Sequence, residues 1–490
     1  MKYLVPLQSE MAKREKTDLL AYIREGRTMT RSERLRLIVN LSIPSILAQI
    51  SATVMFFIDA AMVGHLGERA TAAIGLVETT TWLLGGLASA ASMGFSVQVA
   101  HFIGANDFEN ARRVLRQSLV CCFLWSLMLS MACVIVHRAL PFWLGGSEEI
   151  ASDASLYFLI VGIAGMLFQM EGLAGSMLKC SGNMKVPSAL NIMMCVLDVV
   201  FNYGFIYMLG MGVAGAALGT AMAELVTAAL MLYFLLWRSD MLRLVNREKT
   251  AEKNRAGRYP SALRSFRPTH DVVYTAFKIG APMGLQHLLM GSAQIVSTII
   301  VAPLGTIAIA ANSLAITVES LCYMPGYGIA EAATTLVGQG IGARQQALTR
   351  SFAHMSVGLG IAVMTVMGML MYVFAPELMH IMTPVEAIIE QGASALRIEA
   401  WAEPMFAAMI VCNGVFIGAG DTLIPAFMSL ASMWGVRLTL AAWMAPRYGL
   451  RGVWTAMAID LTFRGIIFLY RLFSGKWAKE MKNKEDKMST

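Results

Sequence analysis

Charged residues are scarce in this chain. They make up 14% of its 490 residues, whereas an ordinary soluble domain carries about 25%. Hydrophobic residues make up 57%, and the mean hydropathy is +0.59. A helix needs about 20 apolar residues to cross a bilayer, and about twelve such runs follow one another between short polar or Gly/Pro breaks. This composition excludes a soluble fold and predicts an all-α polytopic membrane protein with twelve transmembrane helices.

Motifs for nucleotide and metal chemistry are also missing. The sequence has neither a GxxxxGK[ST] phosphate loop nor an HExxH motif. The run GQGIGA at 338–343 has three alternate glycines, but it ends an apolar run and no strand-and-helix unit follows it. We interpret it as a tight turn with close helix packing. The sequence therefore predicts no enzyme, no cofactor and no ATP-driven pump.

Cysteine occurs without a pairing pattern. The seven cysteines lie within or at the ends of apolar runs and have no CxxC spacing. This distribution indicates small packing residues rather than a disulfide framework or a metal site.

Lysine and arginine are divided unequally between the two sides of the predicted bundle. One side carries both tails, the loop 238–267, Arg112, Arg113, Arg116, Lys179, Lys185, Arg344 and Arg350. The other side carries only Arg69, Arg138, Arg447 and Arg451. The positive-inside rule then predicts a multi-pass protein of the inner (cytoplasmic) membrane with both termini cytoplasmic, which requires an even number of spans.

Polar segments divide the chain into five parts. We expect a cytoplasmic tail at 1–36, an N-terminal lobe at 37–237, a basic cytoplasmic loop at 238–270, a C-terminal lobe at 271–472 and a cytoplasmic tail at 473–490. The first tail lacks a secretory signal pattern, and its residues 11–25 are either a solvated leader or a short interfacial helix. The stretch 238–267 holds nine basic and three acidic residues, which suits a linker or a contact with anionic lipid. The net charge of +7 thus reflects the concentration of Lys and Arg on one side of the membrane, and no nucleic-acid partner is expected.

An internal repeat relates the two predicted lobes. The chain matches itself without a gap at an offset of 238, from Pro44 to Arg112 and from Pro282 to Arg350. The most informative pairs are Pro44 with Pro282, Gly67 with Gly305, Gly104 with Gly342, Arg112 with Arg350, Gly182 with Gly420 and Pro187 with Pro425. Each unit has six spans, so the copies enter the membrane in the same sense and form a parallel repeat. Pro44 and Pro282 lie inside the first helix of each unit, where each is a possible hinge or a static kink.

Several motifs follow one another along the chain: Pro44 to Asp59 followed by VGHLG (63–67), CSGNMKVP (180–187), LDVVFN (197–202), LVGQGIGA (336–343), GAGDTLIP (418–425) and WGVRL (434–438). In this order and spacing they resemble multidrug and toxic compound extrusion (MATE) transporters. The resemblance covers residues 37–470. It implies two lobes around a central cleft and the export of organic, often cationic, compounds in exchange for Na⁺ or H⁺.

The resemblance has departures that bear on the branch of the family. The family commonly has Asn four residues before its fifth-helix Asp, where this chain has Met194, and Asn202 lies one turn on the other side. The branch typified by NorM has acids in its seventh and tenth helices, where this chain has Met290 and Phe406. The chain therefore resembles the DinF-like branch more closely, which places the expected ion site in the N-terminal lobe.

Ionisable residues at membrane depth are costly, so each is a functional candidate. Asp59 lies fifteen residues after Pro44, at the place of the family's first-helix acid. Asp198 and Asn202 are four residues apart, as are Thr220 and Glu224, so each pair shares a helix face. We predict that Asp59, Asp198, Asn202 and Thr220 converge inside the N-terminal lobe.

Two carboxylates that share an apolar pocket cannot both ionise easily. One of them can take up a proton, or a Na⁺ can satisfy both. Either event would change the charge of the lobe, bend the first helix and expel a bound cation. The alternative is a hydrogen-bonded cluster that only locks the lobe.

Further acids lie outside this predicted cluster. Glu78, Glu224 and Glu331 are possible additional ion or substrate ligands. For the acids of the second half we prefer an ion-paired structural network that includes the bases Arg437 and Arg464, with Glu319, Glu399, Glu403 and Asp460 as its acids. At the repeat offset Asp59 corresponds to Ser297 and Asp198 to Val436, so the predicted ion site belongs to one lobe only.

The sequence thus predicts a cation-coupled antiporter with small organic molecules and membrane lipid as its partners and a monomer as its assembly. The alternative is a flippase for lipid-linked saccharides or another lipidic substrate. Flippases of that kind line their cavity with Arg and Lys, whereas the N-terminal half of this chain has acids at membrane depth.

Overall fold

The computed structural model describes residues 19–244 and 266–477. Residues 1–18 of the predicted first tail, 245–265 of the predicted basic loop and 478–490 of the predicted last tail lie outside this range.

The first half of the described chain contains eight α-helices, six of which are long and apolar enough to cross a bilayer. They are α1 Leu19–Glu25, α2 Arg31–Gly64, α3 Glu68–Gly104, α4 Phe108–Val136, α5 Leu140–Trp143, α6 Glu148–Cys180, α7 Lys185–Tyr203 and α8 Gly212–Tyr233. The last two continue into π-helical turns at Gly204–Met208 and Phe234–Arg238. The spanning helices of this N-terminal lobe are α2, α3, α4, α6, α7 and α8.

The second half contains seven α-helices, which supply the other six spans. They are α9 His270–Val301, α10 Thr306–Gly342, α11 Gln346–Met382, α12 Glu386–Ala400, α13 Glu403–Gly418, α14 Leu423–Ser432 and α15 Thr439–Ser474. A bend of 60° joins α12 to α13, and the two together form one broken span.

The segment from Leu423 to Ser474 is too long for a single crossing. Its 52 residues would extend about 78 Å as one helix, far more than a bilayer core of about 30 Å. Gly449, with φ 60° and ψ −143°, interrupts it. The segment is therefore two spans, and the predicted total of twelve is confirmed for the described residues.

The backbone repeats the sequence offset of 238 at its left-handed positions. Gly67 and Gly305 have φ of 105° and 99°, and Gly182 and Gly420 have φ of 88° and 73°. Asn106 and Arg344 form a third pair, with φ of 59° and 57°. A non-glycine residue rarely adopts this conformation, so the agreement shows that the loops after α3 and α10 are copies of one turn.

The first spanning helix begins inside the predicted N-terminal tail. The Thr30 side chain accepts a hydrogen bond from the Glu33 amide, and Glu33 bonds back to the Thr30 amide, so the two form a capping box. This cap starts α2 at Arg31, six residues before the predicted boundary at 37.

Helix α1 packs against the protein, which contradicts the solvated-leader interpretation for residues 19–25. Ile23 is fully buried. Its carbonyl accepts a hydrogen bond from Gln345 Nε2 at 2.5 Å, and the Arg24 carbonyl accepts one from Asn106 Nδ2 at 2.9 Å. Because Asn106 follows α3 and Gln345 precedes α11, α1 bridges the two lobes at the end of the bundle where α3 and α10 finish. This is the side of the bundle that carries most of the Lys and Arg residues, among them Arg112 and Arg344, and we call it the basic end.

The two lobes meet where α3 crosses α10. A Cβ at Gly104 would collide with the carbonyl of Gln339, and a Cβ at Gly342 would collide with the carbonyl of His101. Position 104 corresponds to 342 and position 101 to 339, so the two contacts are copies of each other. The glycines of GQGIGA therefore serve close helix packing, as the sequence predicted.

Side-chain hydrogen bonds across the contact between the lobes also repeat at the offset of 238, as expected for two copies related by a two-fold axis. His101 Nε2 lies 2.8 Å from the Gly418 carbonyl, and Gln339 Nε2 donates to the Cys180 carbonyl at 2.8 Å. The partners Cys180 and Gly418 are again 238 residues apart. Each lobe thus holds the last turn of a helix in the other lobe.

The two predicted hinge prolines lie within continuous helices. Pro44 is inside α2 and Pro282 is inside α9. Neither position interrupts its helix in this conformation, and their role as hinges stays a prediction.

Alanine at position 104 should destabilise the protein. Its Cβ would force α3 away from Gln339, and overpacking of this kind costs about 1–3 kcal/mol. We expect Gly104→Ala to lower the melting temperature in detergent. The control is Gly85→Ala on the same helix, whose Cβ would meet nothing within 4 Å. Equal melting temperatures for the two variants would contradict the close crossing.

Candidate functional site

Three helices of the N-terminal lobe bring the predicted ion-site residues together. The Nδ2 of Asn202 donates to Asp59 Oδ1 at 3.1 Å and to Asp198 Oδ2 at 2.9 Å. The amide of Asn202, on α7, therefore bridges a carboxylate of α2 and a carboxylate of its own helix. Thr220 of α8 lies beside Asp198. The predicted convergence of all four residues is present in the structure.

The spacing of residues along α7 explains why Asp198 and Asn202 lie together. Asp198 and Asn202 are one turn apart, so both side chains point from the same face toward α2. Asp198 is 0% exposed and Asn202 is 2% exposed, while Asp59 is half-buried. Asp198 is thus shielded from solvent, whereas Asp59 is the carboxylate of the site that solvent can reach.

Gly219 of α8 explains how the Asn202 amide is held in position. A Cβ at Gly219 would collide with Asn202 Oδ1 and would lie 2.8 Å from the Asn202 backbone nitrogen. Without a side chain at 219, α8 can press against α7 and hold the Asn202 amide in place. Gly219 could not be recognised from the sequence, because one glycine in a glycine-rich helix carries no distinguishing pattern.

Several buried oxygens in this region lack a hydrogen-bond partner. They are Asp198 Oδ1, Asn202 Oδ1 and, one turn beyond Thr220, Glu224 Oε1. A buried acceptor without a donor is costly, and it is satisfied when a proton or a hard cation binds, since Na⁺ and similar ions prefer oxygen ligands. The donor set of carboxylate, amide and hydroxyl oxygens therefore fits H⁺ or Na⁺. Among the described residues no group of three His, Cys, Asp or Glu side chains is placed to hold a metal ion.

Glu78 does not join this cluster. It is exposed on α3, and its carboxylate accepts from the Trp82 indole at 3.4 Å. The Trp82 ring in turn lies 5.1 Å from that of Phe56 on α2. Glu78 therefore belongs to an aromatic patch outside the Asp59 cluster.

Glu331 lies at the contact between the lobes, and its role as a possible ion or substrate ligand stays a prediction. Its carboxylate is 2.8 Å from Lys179 Nζ of α6, and it accepts from Gln49 Nε2 of α2 at 3.2 Å and from the Ser45 hydroxyl. From the sequence, Lys179 is expected to be a loop charge without a partner, whereas it lies in the last turn of α6. A pair from two lobes, 152 residues apart, leaves no local signal in the sequence.

The buried acids of the C-terminal lobe are only partly ion-paired. Asp460 pairs with Arg464 and accepts from the Ser432 hydroxyl, as the predicted network requires. In contrast, both carboxylate oxygens of Glu399 and of Glu403 are buried without a hydrogen-bond partner. The network interpretation holds for Asp460, and it does not describe these two acids, which flank the bend between α12 and α13.

The family model MatE matches residues 44–204 and 282–443, one match in each lobe. The chain belongs to the MatE family. The two matches begin 238 residues apart, which agrees with the repeat and confirms the resemblance seen in the sequence.

Relatives of this MatE protein match it over nearly its whole length. The "Probable multidrug resistance protein NorM" of Thermotoga maritima is 27% identical, over 90% of this chain and 93% of its own. The solved structure "Crystal structure of MATE in complex with MaL6" has a TM-score of 0.83 at 22% identity, over 92% of this chain and 100% of that one. The structure titled "Outward-facing conformation of a multidrug resistance MATE family transporter of the MOP superfamily" has a TM-score of 0.82 at 22% identity, over 91% and 99%. These likenesses confirm the two-lobe fold.

Alanine at position 219 should disable the cluster without unfolding the lobe. Its Cβ would displace the Asn202 amide from Asp59 and Asp198. We expect Gly219→Ala to reduce ion-driven dye efflux from proteoliposomes by roughly tenfold or more, the scale of a small misplacement in a positioned site. Gly204→Ala, in the π-helical turn that follows α7, is the control, because its Cβ would meet nothing within 4 Å. Similar efflux from both variants would show that the Asn202 position does not matter.

Proposed function

We propose that this MatE protein is a cation-coupled antiporter that exports organic, cationic or amphipathic compounds across the cytoplasmic membrane. The lobes rock against each other, and either H⁺ or Na⁺ drives the cycle. The observation that carries this proposal is the cluster of Asp59, Asp198 and Asn202 in one lobe, with buried acceptor oxygens left unpaired. Family membership and the printed names of the relatives support the same class of function.

Ion binding in this cluster would act through α2. Asp59 is the only member of the cluster on that helix, so a proton or Na⁺ that neutralises the pair of carboxylates changes how strongly α2 is held to α7. The helix carries Pro44 about four turns away, and there a bend costs no main-chain hydrogen bond because proline has no N–H to donate. We therefore assign Pro44 as the hinge of α2, and Pro282 as its counterpart in α9.

The contacts between the lobes indicate which state of the cycle the structure represents. The contacts of α3 with α10, and of both with the ends of α6 and α13, lie toward the basic end. We infer that this end is cytoplasmic and that the lobes part toward the opposite side, so the conformation is outward-open. The positive-inside distribution of Lys and Arg supports this orientation.

The position of the ion site favours the DinF-like branch over the NorM-like branch. The polar cluster lies in the N-terminal lobe, and the equivalent positions of the other lobe hold Ser297 and Val436. A flippase for lipid-linked saccharides is less well supported, because Lys179, a base at the lobe contact, is neutralised by Glu331 instead of being available to a pyrophosphate group.

Removal of either acid should uncouple transport. We expect Asp59→Asn and Asp198→Asn each to abolish ion-driven dye efflux from proteoliposomes, because an amide cannot take up the proton or balance the charge of Na⁺. Size-exclusion profiles and melting temperatures would confirm folding. Asp153→Asn, at an exposed position on α6, is the matched control. Full efflux in both site variants would contradict the assignment of this cluster as the ion-coupling site.

The coupling ion is tested by imposing one gradient at a time. Proteoliposomes loaded with a cationic dye would be given either an inward Na⁺ gradient or an inward proton gradient. We expect efflux to accelerate under at least one gradient and to lose that response in Asp59→Asn. An efflux rate that ignores both gradients would contradict the antiporter proposal.

A further inference from the structure

An ion pair lies across the lobe contact near the basic end. Lys179, next to last in α6, meets Glu331 of α10 at 2.8 Å, and their side chains are 19% and 27% exposed. Ser45 and Gln49 of α2 donate to the same carboxylate. One acid of the C-terminal lobe therefore collects three donors from the N-terminal lobe.

The two-fold relation of the lobes provides an internal comparison for this contact. At the repeat offset of 238, Lys179 corresponds to Ile417, Glu331 to Met93 and Ser45 to Met283. Met283 and Ile417 are buried in one apolar cluster, and Met93 packs against it. The same place in the architecture is thus ionic on one side of the pseudo-two-fold axis and apolar on the other.

The ionic contact and the apolar contact respond differently when the lobes separate and water reaches the interface. An apolar contact loses its stabilisation in proportion to the surface exposed, with no partner to compensate. A partly exposed ion pair contributes little net free energy, because water solvates both charges once they separate. Lys179 also has a second acid nearby in its own lobe, Glu171 of α6, which attracts its ammonium group. The ionic side is therefore the side that opens at lower cost.

The ionic side is also connected to the ion site. Ser45 follows the proposed hinge Pro44 directly, and Asp59 lies fourteen residues further along the same helix. A bend of α2 at Pro44 would withdraw Ser45 and Gln49 from Glu331. Ion binding near the end of α2 can thus weaken the contact near its middle, whereas α9 has Met283 and His287 at the matching positions.

We propose that Lys179 and Glu331 form an ionic latch between the lobes, which opens during the cycle while the apolar contact of Met93, Met283 and Ile417 holds as the pivot. Lys179 and Glu331 are positioning residues for transport. The proposal rests on the proposed alternation of the lobes, so its test includes a readout that requires no transport.

Cys180 supplies that readout. Its side chain is 5% exposed, its neighbour is Lys179, and its carbonyl is bound by Gln339 of the other lobe. Separation of the lobes at this contact would expose its thiol to a maleimide. Cys412, fully buried in the core of the C-terminal lobe, reports unfolding instead. Labelling of both native thiols can be measured by peptide mass spectrometry.

Breaking the latch should expose Cys180 alone. We expect Lys179→Gln and Glu331→Gln to raise the Cys180 labelling rate by roughly two- to fivefold, the population shift that one partly exposed ion pair supports, and to reduce efflux, with Cys412 unchanged. The charge swap K179E/E331K should restore both readouts, since Ser45 and Gln49 can each accept from a lysine. Lys278→Gln, which removes an exposed lysine of α9, is the control.

Replacing the latch by its apolar counterpart should have the opposite effect on labelling. The double variant Lys179→Ile with Glu331→Met copies Ile417 and Met93, two of the three residues of the pivot side, and the exchange of an enclosed ion pair for apolar side chains is often neutral or stabilising. We expect an unchanged or higher melting temperature, slower Cys180 labelling and loss of efflux because the contact stays shut.

The outcomes separate this proposal from the alternatives. Wild-type Cys180 labelling in both single variants would overturn the latch, whatever happens to efflux. Parallel increases at Cys180 and Cys412 would show a purely structural pair and also overturn it. Exposure of Cys180 in the single variants together with gradient-insensitive efflux in the wild type would support the latch and reject the antiporter mechanism.

Discussion

Close contact between α3 and α10 is the constraint on which the rest of the architecture depends. Their backbones approach so closely at Gly104 and Gly342 that any side chain there would collide with the other helix. This approach lets His101 and Gln339 reach the carbonyl ends of α13 and α6. Because α6 is fixed in this way, the Lys179 side chain meets Glu331. The glycines therefore determine both where the lobes join and which charged groups meet there.

The symmetry of the backbone is combined with asymmetry of the side chains. The two lobes repeat turn geometry and interface contacts, yet within residues 19–244 and 266–477 only the N-terminal lobe places an amide between two carboxylates, at Asn202. The C-terminal lobe instead buries Glu399 and Glu403 without hydrogen-bond partners beside a bend of 60°. A transporter must couple two events, ion binding and substrate movement, and identical lobes would give both halves the same response. Different side chains on one scaffold allow one lobe to respond first.

The sequence predicted what depends on composition, periodicity and repeats. The twelve spans follow from apolar runs, and the convergence of Asp59 with Asp198 and Asn202 follows from helix spacing together with the family resemblance. It could not predict contacts between distant segments whose residues look ordinary alone, such as Lys179 with Glu331 or Gly219 with Asn202. It also placed the start of the first span at 37, because the capping box at Thr30 and Glu33 extends the helix through polar residues that a hydropathy criterion excludes. Packing of α1 was missed for the same reason, since one buried Ile23 among polar neighbours gives no periodic signal.

The reciprocal bonds of His101 and Gln339 have a consequence for the origin of the protein. A contact in which residue i meets j, and the copy of j meets the copy of i, is the isologous contact of a two-fold symmetric dimer. Two identical six-helix chains could form it without any connecting loop. The interface is therefore one that a homodimer of half-length ancestors could have used before duplication and fusion. In such a homodimer both sides of the interface would be chemically identical, so the ionic and apolar sides of the present interface require two copies with different sequences.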